Sequence, residues 1–275
     1  MPPPLNDIPM KDKTLSLLVL CLSGCLALHA ELVDNSAVLK RLDEAISRKE
    51  TYHAQKEVEL QGLKDRLAAA SSPQEKYNCC DRLVVAYLHY QTDSALYYTD
   101  CKRKLLPLLN DPMQEADVFI NRAEVMALMG MYNEASELLK QVGTHELDQN
   151  TLTYYFRTVR AYYGWLDDYT TDPVAKERYA EKTTLYRDSI LLLSPHTVER
   201  DIVKAEQLII AGKSDSALIM LQDLERGKME KREKIYLYYT YSEAFHDLEN
   251  VEKEIHYLAL TAIADMESSI REYAS

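Results

Sequence analysis

The chain has 275 residues, of which 47% are apolar and 28% are charged, a composition that is ordinary for a globular protein and argues against disorder. Its seven Gly and nine Pro are too few to punctuate an all-β fold, and they favour long helices. The formal charge of −12 argues against nucleic acid or anionic lipid as the main partner of this part, because an acidic surface repels phosphate.

The N-terminus has the pattern of an export signal, which we assign to residues 1–30. Lys11 and Lys13 form a positively charged segment, and the apolar segment Leu15–Leu22 follows it. Met10 is an alternative start, because the signal pattern begins cleanly there. The apolar stretch is shorter than the roughly 20 residues that cross a membrane. We therefore predict an exported protein at the periplasmic face of the cell envelope.

Two cleavage sites fit this signal. Residues 22–25 (LSGC) match a lipobox, and cleavage there leaves Cys25 as a lipidated first residue. Cleavage after Ala30 releases an unmodified N-terminus at Glu31 instead. No second apolar stretch is long enough to span a membrane. A membrane connection therefore requires either the lipid anchor or a span that follows this chain.

The N-terminal part of the exported chain predicts one long helix. Apolar residues recur at three-and-four spacing at both ends of Ser36–Ala70, whereas the middle, Arg48–Lys56, is mostly polar. We expect this helix to be packed at its ends and solvated in its centre. The next helix begins at Ser72, a good N-cap, followed by Pro73 in the first turn and by Glu75.

Helical hairpins in series follow the long helix. The clearest hairpin lies in residues 121–142, where Gly130 joins two helical patterns and the small Ala123 and Ala135 let the helices approach closely. Such a hairpin cannot bury its apolar faces alone, so it needs neighbours on both sides. The predicted divisions are 1–30 (signal), 31–72 (long helix) and 73–275 (hairpin array).

The spacing of the hairpins predicts an all-α, TPR-like helical-repeat solenoid with a long N-terminal helix; an irregular helical bundle is the alternative. Subtraction of residue numbers gives intervals of 40, 45, 37 and 38, longer and less regular than the 34 residues of a strict tetratricopeptide (TPR) repeat. The residues that open the return helices are small or apolar: Ala95, Ala135, Ala180, Ala217 and Ile255.

No motif for catalysis, a cofactor or a metal emerges from the sequence. The seven His form no HExxH motif and no i,i+4 pair, so a helical zinc site is not predicted. The phosphate-binding GxxxxGK and GxGxxG loops and the GxSxG nucleophile turn do not occur. We therefore predict a protein that is not an enzyme and that has no cofactor or metal ligand set.

Three cysteines follow the signal, an odd number in an exported chain. Adjacent Cys79 and Cys80 are badly placed to bond each other in a helix. Cys80 and Cys101 lie at similar distances from the turn near Thr92, so a disulfide between them is conceivable in an oxidising compartment. The simpler interpretation is that all three thiols are small buried apolar groups.

TPR geometry predicts a groove on the concave face of the array. A groove of mixed acidic and apolar side chains suits a basic or amphipathic peptide, so the predicted partner is a protein or peptide. The candidate groove residues come from two neighbouring hairpins: Asp117, Ile120, Asn121, Glu124, Glu199, Ile202, Glu206 and Ile209.

Four stretches occur in order along the chain: LKRLDEAISRKETYHAQKEVELQGLKDRL from Leu39, TDSALYYTDC from Thr92, KERYAEKTTLYRDSILLLSP from Lys176 and EKEIHYLALTAIADMESSIREYAS from Glu252. Residues 38–275 thereby resemble a Bacteroidota domain of unknown function, the extracytoplasmic, TPR-containing half of membrane-bound transcriptional regulators. The resemblance implies a type I signal cleaved after Ala30, further repeats, one transmembrane helix, a coiled coil and a cytoplasmic DNA-binding domain. We therefore expect the array to be incomplete at Ser275.

The resemblance and the residues together predict a sensory or protein-interaction domain of an envelope-anchored transcriptional regulator. Such a domain binds a peptide or a partner protein through its helical-repeat groove. The alternative is a stand-alone periplasmic or lipid-anchored TPR adaptor in envelope assembly or glycan uptake. A transmembrane span downstream favours the regulator, whereas a lipid on Cys25 favours the adaptor.

Overall fold

The computed structural model describes residues 34–193 and 197–269, so the predicted signal peptide and Cys25 lie outside the described residues. The all-α prediction is confirmed, since this part of the chain is built from helices and contains no strand. No helix within it is long and apolar enough to cross a membrane. The helices are Ser36–Ser47 (α1), Lys49–Ala69 (α2), Pro73–Tyr87 (α3), Thr92–Leu109 (α4), Pro112–Leu128 (α5), Tyr132–Lys140 (α6), Gln149–Tyr169 (α7), Pro173–Leu193 (α8), Val198–Ile210 (α9), Ser214–Glu225 (α10), Lys231–Asp247 (α11) and Val251–Ser268 (α12).

The single long N-terminal helix that we predicted is two helices. Arg48 interrupts the ladder with φ −97° and ψ 4°, and its guanidinium lies 5.2 Å from the centre of the Tyr52 ring. The break lets α1 and α2 pack against different neighbours. Val38 and Ala45 of α1 are buried against α12, whereas α2 packs mainly on α3. The centre of the pattern is solvated as predicted, except for the buried Tyr52 and the largely covered Lys56.

The predicted start of α3 is a complete capping box. The Glu75 backbone N–H donates to the Ser72 hydroxyl oxygen at 3.1 Å. The Ser72 backbone N–H donates back to the Glu75 carboxylate at 3.1 Å. This reciprocal pair satisfies two N–H groups that a helix start otherwise leaves unbonded.

Two hairpins have a close seam of the kind that the sequence predicts for residues 121–142. Ala123 of α5 and Ala135 of α6 are completely buried, and so are Ala205 of α9 and Ala217 of α10. Alanine at these positions brings the helix backbones together, and larger side chains fill the space beside them. The TPR-like character of the array therefore rests on these two hairpins.

The seam between α7 and α8 is different, because aromatic rings fill it. Ala180 is exposed, so our prediction that it opens a return helix against its partner is wrong. Tyr163 of α7 stacks on Tyr186 of α8 with ring centres 6.0 Å apart and planes 11° from parallel. Aromatic rings thus do here the packing that alanine does at the other two seams. Ile255 of α12 is likewise exposed, and Ala259 is buried in its place.

The two ends of the described array meet. One side of α12 packs on α11, and the other packs on α1 and α2. The Asn35 amide donates to the Glu252 carbonyl oxygen at 2.8 Å, and the Ser269 hydroxyl donates to the Tyr52 carbonyl oxygen at 3.1 Å. In an open array, this face of α12 is available to the next repeat. Here α1 covers it.

Candidate binding cleft

The predicted groove face on α5 is largely occupied by contacts within the protein. Ile120 is completely buried against Ala116 and Val142, and Asn121 is buried as well. Both residues are therefore withdrawn from the candidate groove, because a ligand cannot reach them. Asp117 and Glu124 remain partly exposed.

A buried lysine binds the polar residues of this face. Lys102 of α4 is completely buried, and its ammonium donates to Asp81 Oδ1 at 2.6 Å, Asp117 Oδ2 at 2.6 Å and Asn121 Oδ1 at 2.5 Å. The Tyr77 hydroxyl donates to Asp117 Oδ2 at 2.6 Å, and the Lys102 ammonium lies 4.7 Å from the centre of the Tyr77 ring. One cation thus joins α3, α4 and α5.

Tyr154 of α7 extends this network. Its hydroxyl donates to Glu124 Oε2 at 2.6 Å and accepts from the Asn121 amide at 2.8 Å. Burial, followed by the neighbouring Glu124 carboxylate, raises the pKa of Tyr154 well above its ordinary value. Glu124 is therefore engaged with the protein itself, like Asp117.

The second predicted groove face, on α9, is paired with cations of α7 and α8. Arg157 Nε lies 2.5 Å from Glu199 Oε1, and Arg160 Nη2 donates to Glu206 Oε2 at 2.7 Å. Arg187 Nε lies 3.5 Å from the same Glu206 oxygen. Arginines of the same protein therefore neutralise the predicted acidic surface. Its role in binding a basic peptide stays a prediction.

The apolar members of that face separate in the structure. Ile202 is buried in the core between α9, α10 and α11, so it cannot line a groove. Ile209 is only partly buried beside the same core. Of the predicted groove, the exposed remainder is a discontinuous set of paired carboxylates and one isoleucine.

The three cysteines after the signal are free thiols in this structure. Cys80 is buried, which raises the pKa of its thiol to about 12, and the neighbouring Cys101 and Cys79 add to the effect. A raised thiol pKa lowers the fraction of reactive thiolate. The interpretation of Cys80 as a small buried apolar group fits, and a Cys80–Cys101 disulfide stays a prediction.

A cleft that sequence analysis missed lies where the ends of the array meet. Its volume is about 460 Å³, within the range of ligand-binding pockets. Helices α2 and α3 supply most of its walls, and Arg232 at the start of α11 reaches it from the other end of the chain. The lining residues are Lys56, Glu59, Leu63, Arg66, Asp81, Arg82, Val85, Ala86, His89, Tyr90, Arg232 and Ser269.

The cleft is cationic although the chain is acidic. Its two carboxylates already have cation partners: the Lys56 ammonium lies 3.2 Å from Glu59 Oε2, and Asp81 accepts from the buried Lys102. Two further guanidinium groups, those of Arg66 and Arg82, are exposed in the cleft beyond these pairs. The local charge is thus opposite to the net charge of −12.

Polar contacts order two sides of the cleft, one towards α11 and one towards α2. The guanidinium of Arg232 lies 3.1 Å from His89 Nε2, although the two residues are 143 positions apart. The Tyr90 hydroxyl donates to Glu57 Oε1 at 2.7 Å and lies 2.8 Å from His53 Nε2. The available signal in the sequence was the spacing of Asp81, Arg82, Val85 and Ala86 on one face of α3, followed by His89 just after the helix ends. The residues next to Arg232 in the sequence do not indicate that Arg232 lines the same cleft.

The described residues contain no cluster of His, Cys, Asp and Glu that could hold a metal ion. Helical hairpins packed in series, with small residues at two of their seams, define a helical-repeat protein of the TPR type. Such domains are generally non-catalytic and generally act in protein–protein interaction.

The chain belongs to the SusR N-terminal TPR domain family, whose model matches residues 46–275. The match confirms the family expected from the four ordered stretches, a TPR-like half of a Bacteroidota regulator. Among curated proteins, none matches the chain.

Proposed function

We propose that this chain is a non-enzymatic, extracytoplasmic sensory domain of an envelope-anchored transcriptional regulator, and that it binds a peptide or a segment of a partner protein. Membership of the SusR N-terminal TPR domain family supports a role in protein interaction. The predicted export signal supports placement outside the cytoplasm.

The observation that carries the proposal is the cleft between the two ends of the array. A ligand there contacts α2 and α3 on one side and Arg232 of α11 on the other. A ligand that binds more tightly when the two ends of the array are in contact than when they are apart stabilises that contact by mass action. Occupancy of the cleft is thereby coupled to the geometry of the whole domain, which is the property that a sensor requires.

Site-specific photo-crosslinking in the native host tests this proposal. Benzoylphenylalanine replaces Val85, which lines the cleft and is 60% exposed, or Leu192, which lies on α8 and is 85% exposed. We expect one discrete adduct at Val85 and none at Leu192, in the envelope fraction. Adducts at neither position, or the same adducts at both, contradict a specific ligand in the cleft.

Ligands that co-purify with the chain test the non-enzymatic part of the proposal. Mass spectrometry of the native complex should find a peptide or protein partner. Recovery of a small-molecule substrate together with its reaction product contradicts the assignment as a binding domain.

The lipobox at residues 22–25 favours a second candidate, a lipid-anchored TPR adaptor in envelope assembly or glycan uptake. Palmitate labelling that disappears in Cys25→Ala supports this adaptor. Detection of a mature N-terminus at Glu31 supports cleavage after Ala30, which the family resemblance implies, and it thereby supports the regulator. The two outcomes exclude each other, because each cleavage site produces a different first residue.

A further inference from the structure

We propose that the cleft binds an acidic peptide segment in which carboxylate side chains alternate with apolar ones. This inference rests on the proposed function as a peptide-binding domain and specifies the chemistry of the ligand. It assigns a peptide charge opposite to the one predicted from the acidic residues of α5 and α9.

The first step of the argument is the balance of charge in the cleft. The lining carries four cationic side chains, of Lys56, Arg66, Arg82 and Arg232, against two carboxylates, so cations remain in excess. Arg66 donates only its Nε to the Gly62 carbonyl oxygen at 3.2 Å. Within the described residues, no ion pair or hydrogen bond holds Arg82, which is exposed. Guanidinium groups bind carboxylates through two parallel hydrogen bonds, which favours an acidic ligand.

The second step is the apolar part of the lining. Leu63 is buried at the wall of the cleft, and Val85 and Ala86 lie one helical turn along from Asp81 and Arg82. A simple inorganic anion leaves these apolar groups uncovered. A peptide that carries apolar side chains between its carboxylates covers them and gains from removing their surface from water.

The third step concerns discrimination. The chain as a whole carries a charge of −12, and that field repels acidic molecules everywhere except near a local excess of cations. The local cations therefore favour the cleft over the rest of the surface for an acidic peptide. A basic peptide meets the opposite situation, because the general surface attracts it and the cleft repels it.

Fluorescence anisotropy with the full chain tests the inference. The probe is a fluorescein-labelled peptide of alternating Glu and Leu, compared with peptides in which Gln or Lys replaces Glu. We expect binding of the acidic peptide alone, weakening as salt rises. Arg82→Glu and Arg66→Glu should each weaken it about tenfold or more, since each replaces an attraction by a repulsion.

Arg226→Glu is the matched control, because this substitution changes the net charge by the same amount. The Arg226 side chain is 76% exposed and does not line the cleft. It should change the affinity less than about twofold. Circular dichroism of each variant establishes that it is folded. Equal losses in all three variants, or no loss in Arg66→Glu and Arg82→Glu, overturn the inference.

Two further outcomes also overturn it while leaving the proposed function intact. Tighter binding of the Lys peptide reverses the assigned charge. Full competition by glutarate, a free dicarboxylate, assigns the cleft to a small organic acid. If the proposed function is wrong, the crosslink at Val85 does not form at all. If only the acidic specificity is wrong, the crosslink forms and is unchanged in the Arg82→Glu chain.

Discussion

At the scale of single residues, the complete burial of Lys102 is an arrangement that costs hydration free energy. An ammonium group that leaves water loses several kcal/mol of hydration, and only close acceptors offset that loss. Asp81, Asp117 and Asn121 supply three acceptors within 2.6 Å. These residues come from α3 and α5, so the lysine joins two hairpins while it satisfies its own charge.

Lys102→Met tests this role, since methionine keeps most of the length and removes the charge. The partly buried Asp117 and the buried Asn121 then lose the cation that both of them bind. We expect the free energy of unfolding to fall by about 3–5 kcal/mol. Urea denaturation measures it, with Lys140→Met as the exposed control, for which the change should stay within about 0.5 kcal/mol. A loss below that control level contradicts the structural role.

Buried tyrosines make the stability of the protein depend on pH in the alkaline range. Burial, more than any other cause, raises the pKa of Tyr155, Tyr239 and Tyr257 to about 12 each. In the unfolded chain the tyrosine pKa is about 10. Above that pH the unfolded chain loses phenol protons that the folded chain keeps, so unfolding becomes more favourable as pH rises.

We therefore expect these phenol groups to make their full contribution to the free energy of unfolding below about pH 10. That contribution should fall progressively between about pH 10 and pH 12. Tyr155→Phe keeps the ring and removes one titrating group, so it should flatten the decline. Urea denaturation of both proteins across this range measures the slope. An identical slope in the variant means that Tyr155 titrates alike in both states.

At the scale of elements, one turn geometry recurs between the helices of three hairpins. Gly130 and Gly212 have φ of 77° and 66°, in the left-handed region that glycine adopts without strain. In the first turn, the Met131 N–H donates to the Met126 carbonyl oxygen at 2.9 Å, and Gly130 donates to Ala127 at 2.9 Å. This pattern is the Schellman motif, which satisfies the last carbonyls of the helix.

Gly130→Ala should lower the free energy of unfolding by about 1 kcal/mol, because a side chain at this φ is strained. An added Cβ meets no atom within 4 Å, so the cost comes from the backbone alone. Gly164→Ala is the opposite control. It lies inside α7, its Cβ also meets nothing within 4 Å, and alanine there should stabilise by about 0.5–1 kcal/mol. A stabilising effect of Gly130→Ala contradicts the turn assignment.

The third turn has the same geometry without glycine. Glu249 has a φ of 55°, and the Asn250 N–H donates to the Phe245 carbonyl oxygen at 2.9 Å. The sequence predicts a return helix here but not the geometry of this turn, because the identifying glycine is absent. We expect Glu249→Gly to stabilise the protein by up to about 1 kcal/mol, measured by urea denaturation. Destabilisation by this change means that the Glu249 side chain contributes more than the backbone strain costs.

At the scale of the whole molecule, the important feature is the contact between the two ends. In an open solenoid each repeat contacts only its neighbours, so a change in the last helix has no direct effect on the first. Here Ala259 and Ile263 of α12 pack with Val38 and Ala45 of α1 and with Tyr52 of α2. The two ends should therefore respond to each other.

Ala259→Asp places an unpaired carboxylate in this buried contact. We expect faster amide hydrogen exchange throughout residues 36–47, more than 200 positions away, as well as in α12 itself. Ile219→Asp, at an exposed position on α10, serves as the control and should leave exchange in α1 unchanged. Loss of protection confined to α11 and α12 contradicts closure between the ends.

The sequence by itself determined the features that follow from local rules. The capping box at Ser72, the glycine turn at Gly130 and the alanine seam of the same hairpin depend on residues within a few turns of one another. Backbone conformation and helical periodicity set such features, so their residue types are visible in a single sequence. The four ordered stretches likewise indicated the family that the match over residues 46–275 shows.

Only the tertiary structure decided which charges are free and where a cleft lies. The acidic residues of α5 and α9 looked available in sequence, yet Lys102, Arg157 and Arg160 neutralise them across helix boundaries. The break at Arg48 and the meeting of His89 with Arg232 depend on how α1, α2 and α12 pack together. Contacts between distant residues carry no local signature, because they arise from the accumulated geometry of every helix between them.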